Sequence, residues 1–254
     1  MKINQVAAQL YTVRDYCKTP EDTARSLEKI SAIGYESVQV SGVGPIENGA
    51  LLQLAKDNGL TICATHESIG AILDTPEQVI DKLRALQCQH TAIGYPSGVD
   101  MGSLESVLEF SRRFEDAAQK FVAAGLTVSH HNHNNEFRKI DGKTVLQHIL
   151  ENTQSVTLEL DTYWVQYGGA SPVEWNHLAK GRLPLLHLKD YMVNDKNSHQ
   201  FAEIGQGNLP WPQIIQSAEE SGCQWFIVEQ DSTPGDPFDS LQISFDYIKT
   251  NLIS

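Results

Sequence analysis

The sequence alternates short runs rich in β-branched and apolar residues with longer segments of helical periodicity. The strand-like runs cover residues 3–10, 37–40, 60–65, 90–94, 126–130, 156–160, 183–188 and 225–228. The helical segments between them cover residues 19–32, 46–57, 74–87, 103–124, 144–152, 171–181, 211–221 and 237–252. This alternation predicts one α/β domain over residues 1–254, a (β/α)8 TIM barrel with a closed parallel sheet. An open doubly wound sheet is the alternative, but no glycine-rich phosphate loop follows the first run.

The composition narrows the class of protein. The chain is 41% hydrophobic and 20% charged, which is typical of a globular domain. It contains no stretch of about 18 apolar residues, so no membrane span is predicted. The first residues show no basic region followed by an apolar one, as a secretory signal would. The four cysteines show no paired spacing and are expected to be reduced thiols in a cytoplasmic protein.

The charge of the chain bears on its partners. The formal net charge is −13, which argues against nucleic acid, because phosphate binding needs concentrated lysine and arginine. The expected partner is a small neutral or metal-bound molecule, with no membrane or nucleic acid. Whether the chain forms a homo-oligomer stays open at this point.

Four of the strand-like runs lead into residues that can bind a metal ion. Asp161 follows the sixth run, His187 lies in the seventh, and Glu229 follows the eighth. The fifth run leads into His-His-Asn-His-Asn-Asn-Glu at residues 130–136. Imidazole and carboxylate are the usual ligands of divalent metals, and the carboxyl ends of barrel strands meet at one rim. The sequence therefore predicts one divalent metal ion at this rim.

The fourth ligand of this site stays open between Glu136 and His131. Glu136 offers the hard oxygen that Mn²⁺ prefers, so the predicted metal ligands are Glu136, Asp161, His187 and Glu229. Mg²⁺, Co²⁺ and Zn²⁺ tolerate the same set. His131 lies closer to the strand end.

Further residues near the strand ends are expected to contact a substrate. They are Tyr11, His66, His133, Trp164 and Lys189. Each has an ordinary structural alternative: an aromatic side chain in the core, a hydrogen-bonded histidine, or a lysine in a salt bridge. Residues 190–208 are expected to form a long polar loop.

Six separated motifs resemble one known family. They are Gln-Leu-Tyr-Thr-Val-Arg-Asp at 9–15, His-Asn-His-x-x-Glu-Phe at 131–137, Leu-Asp-Thr-Tyr-Trp at 160–164, His-Leu-Lys-Asp-Tyr at 187–191, Gly-x-Gly-Asn at 205–208 and Val-Glu-Gln-Asp at 228–231. In this order they resemble the sugar phosphate isomerase/epimerase family, the xylose isomerase-like TIM barrels. That family includes tagatose epimerase, inosose dehydratase and enzymes that process 3-keto-sugars.

The resemblance implies a metal-dependent isomerase or epimerase that acts on a keto-sugar or related polyol through a metal-stabilised enediolate. It places Asp161, His187 and Glu229 at three of the four metal positions and His131 where the epimerases have their first glutamate. The epimerases use their first and last glutamates as acid and base, which implies catalytic roles for Glu229 and for His131 or Glu136. A histidine at the first position leaves open a lyase or hydrolase that acts on an inosose or 3-keto-glycoside. A non-catalytic sugar-binding subunit is the third hypothesis.

Overall fold

Eight parallel strands close into a barrel in the computed structural model of the protein, which describes residues 1–253. They are β1 (Val6–Gln9), β2 (Ser37–Val40), β3 (Thr61–Glu67), β4 (His90–Ile93), β5 (Thr127–His131), β6 (Thr157–Asp161), β7 (Leu185–Leu188) and β8 (Trp225–Val228). Each strand pairs with the next along the chain, and β1 pairs with β8 to close the sheet. The predicted TIM barrel is confirmed.

Helices surround this barrel and cover its outer face. They are α1 (Pro20–Ile33), α2 (Asn48–Asp57), α3 (Ile69–Asp74), α4 (Pro76–Ala85), α5 (Leu104–Ala123), α6 (Val145–Glu151), α7 (Thr162–Tyr167), α8 (Pro172–Leu178), α9 (Trp211–Glu220) and α10 (Pro237–Asn251). The larger apolar core lies between these helices and the outward side chains of the strands. No helix within residues 1–253 has the length and apolar character needed to cross a bilayer.

The short helices α3 and α7 were not predicted. Each has six residues, too few for a helical period to be visible in the sequence. Helix α7 begins directly after Asp161, whose carboxylate accepts a hydrogen bond from the amide of Trp164 at 3.0 Å. The first predicted strand was too long at both ends, since 3₁₀ turns cover Ile3–Gln5 and Leu10–Tyr16. The amide of Tyr11 donates to the side chain of Gln9 at the start of the second turn.

The prediction of a long polar loop after β7, at residues 190–208, is wrong in part. Asp190–Val193 and His199–Ala202 pair as an antiparallel hairpin. The segment that follows is tied to the fully buried carboxylate of Asp190. This group accepts hydrogen bonds from the amides of Gly205 at 2.9 Å and Gly207 at 3.1 Å, and from the indole of Trp211 at 2.7 Å. The hairpin was missed because each of its strands has only four residues and a polar turn at residues 194–198 separates them.

The barrel interior changes character along its axis. A small apolar cluster that includes Ala7, Ala64, Leu185 and Ile227 fills one part of it. Towards the carboxyl ends of the strands, the interior side chains are polar and fully buried; they are Gln9, Gln39, Glu159 and His187. Barrel interiors are usually filled by branched apolar residues, so this polar layer marks the functional end of the barrel.

We expect Asp190→Ala to destabilise the protein by about 2–3 kcal/mol, because several buried donors lose a charged acceptor. The measurement is the free energy of unfolding in urea, with Asp195→Ala as the control. Asp195 is exposed in the turn of the same hairpin. Equal stability of the two variants would contradict this role of Asp190.

Candidate metal and active site

Four buried side chains converge where strands β5 to β8 end. His131, Asp161, His187 and Glu229 each offer a ligand atom, and these atoms all lie within 4.8 Å of one another. The parallel register sets Asp161 beside His187. Glu229 follows the last residue of β8 directly. The structure thus joins the predicted residues Asp161, His187 and Glu229, and it adds His131 to them.

Lys189 is the main fixed cation of this group. Its ammonium lies 3.0 Å from Asp161 Oδ2, 2.8 Å from Glu229 Oε2 and 2.9 Å from Asp231 Oδ2. The side chain is only 1% exposed, so these ion pairs are hardly screened by water. The predicted salt-bridge alternative for Lys189 is therefore present. Lys189 also borders the cavity, which leaves substrate contact open to it.

The charges of the group are strongly coupled. Burial lowers the pKa of His187, but the carboxylates of Glu159 and Glu229 outweigh burial and raise it to about 10. Burial raises the pKa of Asp161 to about 6, against the opposing effect of Lys189 and His187. Burial also raises the pKa of Glu229, but Lys189 and His187 outweigh it and hold that pKa well below its usual range. Without a metal, His187 therefore carries a proton that helps to neutralise the carboxylates.

His131 and His133 differ from His187 in charge. Burial, together with the neighbouring His187, holds the pKa of His131 well below its usual range. Burial lowers the pKa of His133 to about 4. Both imidazoles are therefore neutral at physiological pH, which is the form that binds metals. The two rings lie 5.0 Å apart in an edge-to-face arrangement.

Glu136 lies apart from the four converging side chains. Its carboxylate is fully buried and accepts hydrogen bonds from His130 Nε2 at 3.1 Å and from the amide of His133 at 3.0 Å. Burial raises the pKa of Glu136, but its interactions with His130 and His133 together outweigh burial and lower that pKa. These contacts hold the turn Asn135–Phe137, which follows β5. The structure therefore brings His131, and not Glu136, to the other three predicted ligands.

Glu159 is a site residue that the sequence analysis missed. It is fully buried on β6, paired in register with His131, and lies 2.5 Å from His66 Nε2 and 2.6 Å from Gln39 Nε2. Burial raises its pKa, but His187 and His66 outweigh burial and hold the pKa well below its usual range. The alternation of side chains along a strand could have revealed it, because Glu159 lies two residues before Asp161 and therefore points to the same, inward face.

A cavity of about 320 Å³ opens beside these residues. Five predicted residues line it with Glu229, namely Tyr11, His66, His131, His133 and Lys189. Its size suits a small-molecule ligand. Trp164, the remaining predicted contact, packs against His133 with the ring centroids 5.5 Å apart. The indole nitrogen of Trp164 is buried and has no hydrogen-bond partner among the described residues.

The four converging side chains fit a divalent metal. Among the described residues, His131 Nδ1 and Asp161 Oδ2 are buried without a hydrogen bond, although the ammonium of Lys189 lies 3.0 Å from Asp161 Oδ2. Buried polar atoms without partners are uncommon and call for a ligand, an ion or water. Two imidazoles and two carboxylates form a donor set that Mn²⁺, Co²⁺ and Zn²⁺ accept.

Comparisons with known proteins agree with this architecture. A family model described as xylose isomerase-like TIM barrel matches residues 27–250. The chain belongs to this family. Among curated proteins, none matches the sequence significantly.

Solved structures show the same fold at low sequence identity. A sugar phosphate isomerase/epimerase from Parabacteroides distasonis has a TM-score of 0.83 at 20% identity, over 99% of this chain and 96% of that one. A structure of L-ribulose 3-epimerase has a TM-score of 0.76 at 15% identity, over 99% of this chain and 95% of that one. The probable 3-DHS dehydratase AsbF from Bacillus anthracis has a TM-score of 0.73 at 14% identity, over 99% of this chain and all of that one (100%).

The proton on His187 predicts how the stability of the metal-free protein depends on pH. Its pKa rises from 6.5 in the unfolded chain to about 10 in the folded protein, so its contribution is complete below pH 6.5 and is lost as pH rises towards 10. We expect the free energy of unfolding, taken relative to His187→Gln, to fall by up to about 1.4 kcal/mol per pH unit above pH 6.5. Urea unfolding of both proteins in the presence of a chelator, between about pH 6.5 and 8.5, measures this difference, because the buried cysteines and the other buried histidines titrate in both proteins.

His187→Gln is the control for this prediction, because the variant has no imidazole to hold the proton. Its free energy of unfolding should lack the fall due to His187, so the difference between wild type and variant should shrink as pH rises. The same fall in both proteins would show that another group binds the proton.

Proposed function

We propose that the protein is a divalent-metal-dependent isomerase or epimerase that acts on a keto-sugar or a related polyol. The observation that carries the proposal is the buried group of His131, Asp161, His187 and Glu229 beside a cavity. These four residues are the proposed ligands, and Mn²⁺ is the proposed metal. When bound, the ion supplies Lewis-acid polarisation of a substrate carbonyl.

The side chains around the cavity suit proton transfer next to that carbonyl. Glu229 is held ionised by Lys189 and His187, so its carboxylate is able to accept a proton. His66 lies on β3, and Glu229 follows β8, so the two approach the cavity from different sides of the barrel. Lys189 and Asp231 offer charged contacts to substrate hydroxyl groups. Tyr11 is the aromatic contact proposed for one face of the sugar.

A lyase that acts on the same class of substrate is the second candidate. A histidine, His131, occupies the strand end where the epimerases have their first glutamate, and the described residues that line the cavity include two carboxylates, those of Glu229 and Asp231. Asp231 is paired with Lys189 at 2.9 Å. A single carboxylate base with a neutral imidazole suits removal of a proton followed by loss of a leaving group.

Metal content distinguishes the ligands. We expect about one metal ion per wild-type chain, and its loss in His131→Ala and His187→Ala. Glu136→Gln should retain the ion, because Glu136 bonds to His130 and His133 instead. Elemental analysis of protein dialysed against Mn²⁺ measures this. Loss of metal in Glu136→Gln, with retention in His131→Ala, would reverse the assignment of the fourth ligand.

Solvent exchange tests the reaction. Incubation of the Mn²⁺-loaded protein with a panel of keto-sugars in D₂O should place deuterium on the carbon next to the carbonyl, as mass spectrometry and NMR detect. Glu229→Gln should slow the exchange by about 10²-fold or more, and the metal content of the variant is measured in parallel. Release of water or an aglycone instead of an isomer would support the lyase or hydrolase. Tight sugar binding without exchange or product would support a binding subunit.

A further inference from the structure

We infer that Glu159, acting through Gln39, is a positioning residue that determines which nitrogen of His187 is free of hydrogen and able to bind the proposed metal. This role rests on the metal site proposed above. Glu159 lies below the rim and is fully buried. The residue has no place among the four proposed ligands.

The carboxylate of Glu159 determines how the amide of Gln39 is turned. An ionised carboxylate only accepts hydrogen bonds. Its Oε1 lies 2.6 Å from the side-chain amide of Gln39, so that amide must present its NH₂ group to Glu159. The oxygen of Gln39 then points to the other side. The carboxylate thus removes the ambiguity that a buried amide otherwise has.

The turned amide in turn determines the tautomer of His187. Gln39 Oε1 lies 2.7 Å from His187 Nε2 and 2.7 Å from Gln9 Nε2. Since a carbonyl oxygen only accepts, His187 Nε2 carries a hydrogen. In the neutral ring, Nδ1 is then free of hydrogen and directed at the metal ligands, with Glu229 Oε2 at 2.9 Å. The bond made by one ring nitrogen generally decides what the other can bind.

His66 is held in the same way. Its Nε2 lies 2.5 Å from Glu159 Oε2, so this nitrogen donates and Nδ1 of the neutral ring stays free of hydrogen. The ring lines the cavity beside Gly94, where an added Cβ would lie 3.0 Å from His66 Nδ1. One buried carboxylate therefore orients two imidazoles on its two oxygens.

A second metal ion at this level is the competing explanation. His66, His131, Glu159 and His187 also offer ligand atoms within 4.8 Å of one another. However, the atoms of Glu159, Gln39 and His66 already form short hydrogen bonds with one another. His131 Nδ1 is the buried atom of this group that lacks a hydrogen bond among the described residues, and His131 belongs to the four proposed ligands as well. The positioning role accounts for these contacts directly.

Glu159→Gln makes the role testable, because an amide has one donor group and one acceptor. If the new amide accepts from Gln39, it presents its NH₂ to His66 Nε2 and forces the other tautomer there. If it donates instead, Gln39 must turn its own NH₂ towards His187, whose Nδ1 then carries the hydrogen. Either arrangement forces one of the two imidazoles into the other tautomer.

The exchanged pair Glu159→Gln with Gln39→Glu should repair the defect. The carboxylate at position 39 would accept from His187 Nε2 and from Gln9, and the amide at position 159 would donate to it. That amide would keep its oxygen towards His66. Every donor and acceptor of the wild-type network then has a partner again, and the negative charge lies at position 39 instead of position 159. A matched control is Glu136→Gln, another fully buried carboxylate with a histidine partner that makes no contact with His187.

The test measures Mn²⁺ affinity by calorimetry and the histidine tautomers by ¹⁵N NMR of the Zn²⁺-loaded proteins. Circular dichroism confirms that each variant is folded. We expect Glu159→Gln to bind Mn²⁺ about 10- to 100-fold more weakly and to show a changed tautomer at His187 or His66. The exchanged pair should regain most of the affinity and the wild-type tautomers, and Glu136→Gln should keep the wild-type Mn²⁺ affinity and the wild-type tautomers of His187 and His66.

Two results would overturn the inference. Wild-type Mn²⁺ affinity and unchanged tautomers in folded Glu159→Gln would refute the role of Glu159 alone and leave the metal site intact. Failure of the exchanged pair to regain affinity although it folds would do the same. Absence of metal binding by the wild-type protein would instead refute the proposed function, and the positioning role with it.

Discussion

The buried carboxylates of Asp161 and Glu229 share the ammonium of Lys189, and the functional end of the barrel depends on these ion pairs. Removing such charges from water costs several kcal/mol per ion unless partners lie at hydrogen-bond distance. Asp161 ends β6, Lys189 follows β7 and Glu229 follows β8, so three neighbouring strands must keep their register for the charges to meet. The closed sheet supplies that precision, and a loop would not.

Charge balance extends this constraint to the metal. Four carboxylates lie in or beside the site, those of Glu159, Asp161, Glu229 and Asp231, and Lys189 pairs with the last three. The carboxylates of Glu159 and Glu229 raise the pKa of His187 to about 10, so its proton supplies further positive charge. A divalent ion at the same place would supply positive charge instead of the proton on His187. The site therefore has both the ligands and the excess negative charge that a divalent cation requires.

Much of the fold was predictable because its signals are local and repeated. The strands at 37–40 and 225–228 were predicted at their observed bounds, since apolar β-rich runs between helices are characteristic of parallel barrels. The hairpin at 190–202 and the short helices α3 and α7 were missed, because four-residue strands and six-residue helices carry little periodic signal. Strand-end position predicted the meeting of Asp161, His187 and Glu229.

Other parts of the site depend on geometry that spacing does not encode. Glu136 and His131 both have ligand chemistry, and only the turn after β5 shows that Glu136 bonds back to His130. Glu159 and Gln39 looked like ordinary strand residues, although their inward parity in a doubly covered sheet makes them unusual. The network that joins them spans β2, β3, β6 and β7, and no local pattern reports contacts of such sequence separation.

We propose above all that His131, Asp161, His187 and Glu229 hold one divalent ion. Diffraction from crystals of the Mn²⁺-loaded protein, recorded on both sides of the manganese absorption edge, tests this most directly. We expect a single anomalous peak enclosed by these four side chains, with the ammonium of Lys189 still near Asp231. A peak at Glu136, a peak between His66 and Glu159, or no peak at a saturating concentration of Mn²⁺ would contradict this assignment of the ligands.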